Sequence, residues 1–132
     1  MSRLIELPKI TDPRGNLSFF ESERHIPFSI VRTYWIYDVP GGEERGGHAF
    51  REQNEFIVCL SGSVKVTLHE GENIQEYTLT RSYYGLHVPK MTWRSLTDFS
   101  TNAIVLIVCD REFDANDYIR DFENYITLAN EQ

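Results

Sequence analysis

Cysteine is scarce: two residues in a chain of 132, Cys59 and Cys109. Each lies inside an apolar run, IVCL and IVLIVC. Neither has an obvious base nearby, so both read as reduced, buried residues that pack as small hydrophobes rather than as a disulfide or a nucleophile. That usage fits a reducing, cytoplasmic compartment. No apolar run is long enough to span a bilayer. The first ten residues, MSRLIELPKI, are too short and too interrupted for a secretory signal. Positive charge is also short: 13 Lys and Arg against 20 Asp and Glu leave a formal charge of −7. Such a chain lacks the basic field that binding to DNA or RNA requires. It can still hold one small anion where a few arginines converge. Internal repeats, low-complexity segments and linkers are absent.

What remains describes one soluble domain, residues 1–132. With 41% hydrophobic and 25% charged residues, it can bury a core without staples. Short strand-like runs separated by turns fill most of the chain. DPRG (12–15) has Pro13 and Gly15 placed for a tight turn before LSFFE (17–21). IVRTYWIYDV (30–39) is rich in β-branched and aromatic residues. NEFIVCL (54–60) is nearly all apolar and closes on Ser61-Gly62-Ser63. In VKVTLHE (64–70), Val64, Val66 and Leu68 face one way and Lys65, Thr67 and His69 the other. A turn at 70–73 leads into IQEYTLT (74–80). YGLHVP (84–89) and TNAIVLIVC (101–109) supply further strands. Only DANDYIRDFENYITL (114–128) has helical spacing, in Tyr118, Phe122, Tyr125 and Ile126, with Asp114 as N-cap. The pattern predicts an all-β sandwich or barrel with a short C-terminal helix.

One segment, GGEERGGHAFREQNEFIVCLSG (41–62), has a more particular spacing. Gly42, His48, Glu55 and Gly62 fall in the register of the first cupin motif, with Phe50 where the second histidine belongs. Downstream, GLHVPKMTWRSL (85–96) offers Gly85 and Pro89, but Trp93 and Arg94 stand where that motif's later histidine would lie. A transition metal needs three or four converging ligands. His48 and Glu55 are too few, and His87 is a weak substitute, so the site reads as metal-free.

The ordered set DPRGNL, IPFSIVRTYWIYDV, RGGHA, CLSGSVKV, IQEYTLT, GLHVP with Trp93, and DYIRDFENY covers almost the whole chain. It resembles the nucleotide-sugar 3,4-ketoisomerases, which include the WxcM-like domains. The resemblance implies a double-stranded β-helix (a cupin jelly roll) that forms a homodimer, possible strand exchange included. It implies a metal-independent, cofactor-free isomerase moving the ketone of TDP-4-keto-6-deoxyglucose from carbon 4 to carbon 3 for 3-amino-sugar and surface-polysaccharide synthesis. The family's His-Ala-His is here His48-Ala49-Phe50, and Arg94 replaces a histidine often found after the tryptophan.

The chemistry assigns roles. Shifting a ketone to the next carbon is a pair of proton transfers through an enediol, and one imidazole can serve both. His48 is the expected base. Enediolate oxygens need aligned donors, and Tyr34 and Tyr37 lie on the preceding strand. By alternation only one of the two faces the pocket. A diphosphate needs arginine forks. Arg32, Arg45 and Arg51 are the leading candidates, with Arg14 and Arg94 beside them. Glu55 is expected to orient an arginine or His48. Phe50 either shapes the pocket or stacks on the sugar. Trp93 is either a platform for the base or core. Two other readings compete: a nucleotide-sugar binding module without turnover, and a 3,5-epimerase.

Overall fold

The computed structural model describes residues 1–131. Among the described residues there are twelve strands: β1 Arg3–Glu6, β2 Lys9–Ile10, β3 Leu17–Ser18, β4 Arg32–Ile36, β5 Arg45–Phe50, β6 Glu55–Ser61, β7 Val64–Glu70, β8 Asn73–Leu79, β9 Tyr84–Val88, β10 Trp93–Thr97, β11 Ile104–Cys109 and β12 Tyr118–Ile119. The α-helix α1 spans Phe122–Asn130. Two five-stranded antiparallel sheets, in the orders β1-β9-β6-β11-β4 and β12-β5-β10-β7-β8, face each other as a jelly roll. Among the described residues no helix is long and apolar enough to cross a membrane.

The alternation in β7 decides what goes between the sheets. Val64, Val66 and Leu68 point inward and meet Ile57, Cys59, Leu86, Leu96, Val105 and Ile107 in the main core. Full burial of each such aliphatic side chain contributes about 1.5–3 kcal/mol. The N-terminal segment covers the outer face of the first sheet. There Ile5, Leu7, Ile26 and Phe28 pack on Phe56, Val58 and Val108. Cys59 and Cys109 are both free and buried, as their apolar runs predict. The β6–β7 turn needs Gly62: its φ is +72°, and a Cβ there would run into Ser100 and the backbone of Ala103.

Three segments differ from the sequence reading. LSFFE pairs only at Leu17–Ser18. IVRTYWIYDV is strand only over Arg32–Ile36, and the left-handed Asp38, φ +57°, turns the chain just beyond it. The predicted helix over 114–128 is broken in two. Asp114 caps a single 3-10 turn, Ala115–Asp117, and the chain then extends so that Tyr118 and Ile119 pair with Phe50 and Ala49. Strand pairing at the edge of β5 outweighs the helical spacing of Tyr118. Asp121 then caps α1 through Asn124 N–H. The helix packs Tyr125 into a third cluster with Ala49, Trp93 and Ile119.

Candidate active site

Strands β4, β5 and β10 and the segment 113–120 surround a cavity of about 720 Å³. Arg32, Tyr34, Tyr37, Arg45, His48 and Arg94 line it, six of the residues that the sequence singles out. Four arginines border one space when Arg120 is added, beside one carboxylate, Glu44. Arg94 is paired with Glu55, and Arg32, Arg45 and Arg120 have no ion pair among the described residues, so in a chain of negative net charge this space carries a local positive field of the kind that suits an anion.

His48 lies on β5 and is 8% exposed. Its ring meets the rings of Phe50 and Tyr118 edge-on, each at 4.9 Å between centroids. Its Nε2 is buried without a hydrogen-bond partner. Burial, and then the charges of Arg94 and Arg120, push its pKa down to about 2, so the imidazole is neutral. A neutral imidazole with an uncommitted nitrogen at a cavity has a lone pair free to accept a hydrogen, but the burial and cationic field that keep it neutral also make it a weak base until that charge is offset.

At the base of the cavity, Arg94 on β10 forms an ion pair of 2.7 Å with Glu55 on β6, both side chains 1% exposed. Arg94 Nη2 also donates to the Tyr34 hydroxyl at 2.7 Å, and Tyr34 in turn donates to Glu55 Oε2 at 3.0 Å. A third contact, from Arg94 Nη1 to the Gly46 carbonyl at 2.9 Å, ties β10 to β5. Gly46 has φ +70°, and a Cβ there would collide with the Arg94 guanidinium. Burial works against the Arg94 charge, but the Glu55 carboxylate more than offsets it and raises the pKa. Burial likewise raises the Tyr34 phenol well above its usual range, so it remains a protonated donor. Glu55 thus orients an arginine, one of the two roles expected of it, and does not touch His48.

The remaining expected residues separate. Arg32 lines the cavity, with Nη2 donating to Gln53 Oε1 at 3.3 Å. Arg45 is exposed at the cavity without an ion pair among the described residues. Tyr37 is 59% exposed at the rim, so both tyrosines line the cavity where alternation predicts one: β4 ends at Ile36, and Tyr37 lies beyond the regular strand. Phe50 does not reach the cavity: it is 4% exposed and supports His48 from behind, so it shapes the pocket instead of stacking on a sugar. Trp93 is core, packed on Phe122 and Tyr125 of α1. Arg51 is not among the lining residues. Its Nη1 donates to the carbonyls of Asn116 and Tyr118, where it fastens the 115–118 segment to the β5–β6 turn. Arg14 lies on the Asp12–Gly15 turn, 91% exposed and paired with Asp12, outside the cavity of this chain.

Sequence reasoning missed Tyr118, Arg120, Phe113 and Gln53. Tyr118 and Arg120 line the cavity, and the Arg120 guanidinium lies 4.1 Å from the Tyr118 ring centroid. Their signal was a period of two, with Tyr118 and Arg120 flanking the buried Ile119 in DYIRD. His87, half-buried, stacks on Phe28 at 6.1 Å on the face shared with Phe56, and burial lowers its pKa. Among the described residues, no three His, Cys, Asp or Glu side chains converge as a metal would require.

The comparisons with known proteins agree with one another. Residues 1–130 match the family described as FdtA: WxcM-like, C-terminal. A TDP-4-oxo-6-deoxy-alpha-D-glucose-3,4-oxoisomerase from Aneurinibacillus thermoaerophilus is 40% identical over 124 residues, covering 94% of this chain and 89% of the relative. A mutant of the 3,4-ketoisomerase QdtA from Thermoanaerobacterium thermosaccharolyticum, solved with TDP-4-keto-6-deoxyglucose, superposes with a TM-score of 0.96. It is 30% identical, over 99% of this chain and 95% of that one. A 3,4-ketoisomerase from Helicobacter canadensis gives a TM-score of 0.94 at 32% identity, covering 98% and 97%.

Proposed function

The chain belongs to the FdtA, WxcM-like C-terminal family, and from that premise we propose that it is a 3,4-ketoisomerase acting on a TDP-linked 4-keto-6-deoxyhexose. The observation that carries the reading is His48 Nε2, buried and unpartnered at a cavity bordered by four arginines. His48 takes the proton from carbon 3. The electron pair forms the enediolate, with charge on oxygen 4. The same nitrogen then returns the proton to carbon 4 while oxygen 3 gives up its hydrogen and becomes the ketone. The net change moves one hydrogen from carbon 3 to carbon 4 and one from oxygen 3 to oxygen 4. These are proton transfers that balance without an external oxidant or reductant.

Arg94 supplies positive field beside the Tyr34 hydroxyl, where it offsets the developing charge on oxygen 4. The Tyr34 hydrogen is already given to Glu55, so Tyr37 at the rim is the tyrosine that donates to the enediolate. Arg45 and Arg120, free of carboxylate partners among the described residues, suit the diphosphate, with Arg32 deeper. A bound diphosphate also neutralises part of the field of Arg120, which restores basicity to His48 when substrate is present.

Two observations favour a binding module without turnover. Among the described residues no carboxylate pairs with His48 Nε2, and Phe50 stands where a neighbouring imidazole would. Proton NMR with TDP-4-keto-6-deoxyglucose in heavy water separates the two. Loss of the carbon 3 signal with a new 3-keto species supports isomerisation, whereas binding with the proton retained supports the module. Family membership leaves the 3,5-epimerase reading without support.

We further propose a homodimer in the cytoplasm. Trp35, 58% exposed, and Leu60, 48% exposed, line an apolar groove of about 540 Å³ that shares Trp35 and Tyr37 with the cavity. Two buried free thiols suit a reducing compartment.

A further inference from the structure

Gln53 lies in the turn between β5 and β6 and is 3% exposed. Both ends of its amide are used. Nε2 donates to Glu55 Oε2 at 3.1 Å, and Oε1 accepts from Arg32 Nη2 at 3.3 Å. Its main chain is held as firmly: Gln53 N–H donates to Asp117 Oδ2 at 3.1 Å, beside Glu52 N–H to Oδ1 at 2.8 Å. The amide therefore has one place to be.

Arg32 and Glu55 are opposite charges one group apart. A free approach between them would form an ion pair, yet none forms. What stands between them is neutral: the Gln53 amide and the Cys109 thiol, whose Sγ is 3.8 Å from Arg32 Nη2 and 3.7 Å from Glu55 Oε2. Burial, and then Glu55, push that thiol up to about 12, so it carries no charge. Arg32 makes no salt bridge among the described residues, and its Nε is buried without a partner. Glu55 is already committed to Arg94.

We infer that Gln53 is a positioning residue, a neutral spacer that keeps Arg32 off Glu55, so that Arg32 stays an uncompensated cation for the anionic end of the ligand and Glu55 stays with Arg94. A glutamine does this because it can accept from a guanidinium and donate to a carboxylate at once, without adding charge. A carboxylate in its place would pair with Arg32 and spend that cation inside the protein. The inference rests on the function proposed above, with Arg32 as a ligand-facing arginine.

The test measures TDP affinity by calorimetry, and kcat and KM with TDP-4-keto-6-deoxyglucose. The proteins are the wild type, Gln53→Glu and Gln53→Met, each checked for folding by circular dichroism. Gln53→Glu keeps the length and gives Arg32 a counterion. Gln53→Met keeps the length and removes both hydrogen bonds. The expected result is TDP binding weakened about tenfold in Gln53→Glu, on the scale of one charged hydrogen bond, with KM rising in parallel and kcat changed less than about threefold. Gln53→Met weakens binding in the same direction. TDP affinity within about twofold of wild type in either folded variant overturns the inference. So does a fall in kcat with affinity intact, because Gln53 would then act on the reacting centre. If wild type itself binds no TDP, the proposed function falls and takes this inference with it. Normal binding by wild type and both variants sinks the inference alone.

Discussion

Arg94 and Glu55 lie 39 residues apart in sequence and 2.7 Å apart in space, paired charge to charge where neither meets solvent. Removing one partner strands the other. Glu55→Ala is expected to cost about 3–5 kcal/mol of folding stability, because an arginine stays buried without its counterion. Replacing both, as Glu55→Leu with Arg94→Met, restores most of that loss while leaving the enzyme inactive. Urea denaturation of the three proteins, beside an isomerisation assay, checks both halves.

His48→Asn should keep TDP affinity and lose carbon 3 proton exchange, with kcat down by about 10²–10⁴-fold, the range of a general base. Heavy-water NMR reads the exchange, and calorimetry reads the affinity.

The same histidine sets an acid sensitivity. Its folded-state pKa is depressed to about 2 from an ordinary 6.5. Between those values the unfolded chain binds a proton at this position and the folded chain does not. Stability from this group is therefore complete above pH 6.5 and falls as pH drops below it, by at most about 1.4 kcal/mol per pH unit. Thermal melts of wild type and His48→Asn between about pH 7 and pH 4.5 should diverge, with the variant less sensitive to acid. Parallel curves would mean that His48 charges in the folded protein.

Gly46→Ala should damage two things at once. The left-handed backbone costs a side chain about 1–2 kcal/mol, and the new methyl displaces the Arg94 guanidinium. A lower melting temperature with a fall in kcat is expected. Gly71→Ala, also left-handed but with open space around its Cβ position, should lower stability alone. An equal kcat in the two variants would argue that the seat of Arg94 has no bearing on turnover.

Arg120→Ala should raise KM for the nucleotide sugar about tenfold or more, the scale of one charge-assisted hydrogen bond, with kcat little changed. The salt dependence of TDP binding should become shallower. Titrations at two ionic strengths test this, and an unchanged slope would remove Arg120 from the diphosphate site.

The barrel was legible because hydrophobic alternation is a local property. Val64, Val66 and Leu68 announce their burial within five residues, and the spacing from Gly42 to Gly62 positions His48. Glu55 could be read as the holder of an arginine, but not of which one. That choice is made by the register of β10, which sets Arg94 opposite His48 on one side and Leu68 on the other. Tyr118 was read as helical because Phe122, Tyr125 and Ile126 continue its spacing. The competing pull of Phe50 and Ala49, nearly seventy residues upstream, leaves no mark on the local pattern. Arg14 and Arg51 show why an arginine is hard to assign from sequence: the fork that suits a phosphate equally suits Asp12 and two backbone carbonyls, the partners these two have within one chain.

The pairing of Tyr118 with Phe50 also divides the cavity between two stretches of chain. Every strand of the two sheets except β12 lies before residue 110. Residues 113–120 add one wall to a framework they do not build, with Tyr118 and Arg120 lining the cavity and Asp117 fastening the turn that carries Gln53. Changes confined to that short stretch can therefore reshape what the cavity accepts while the two sheets keep their register.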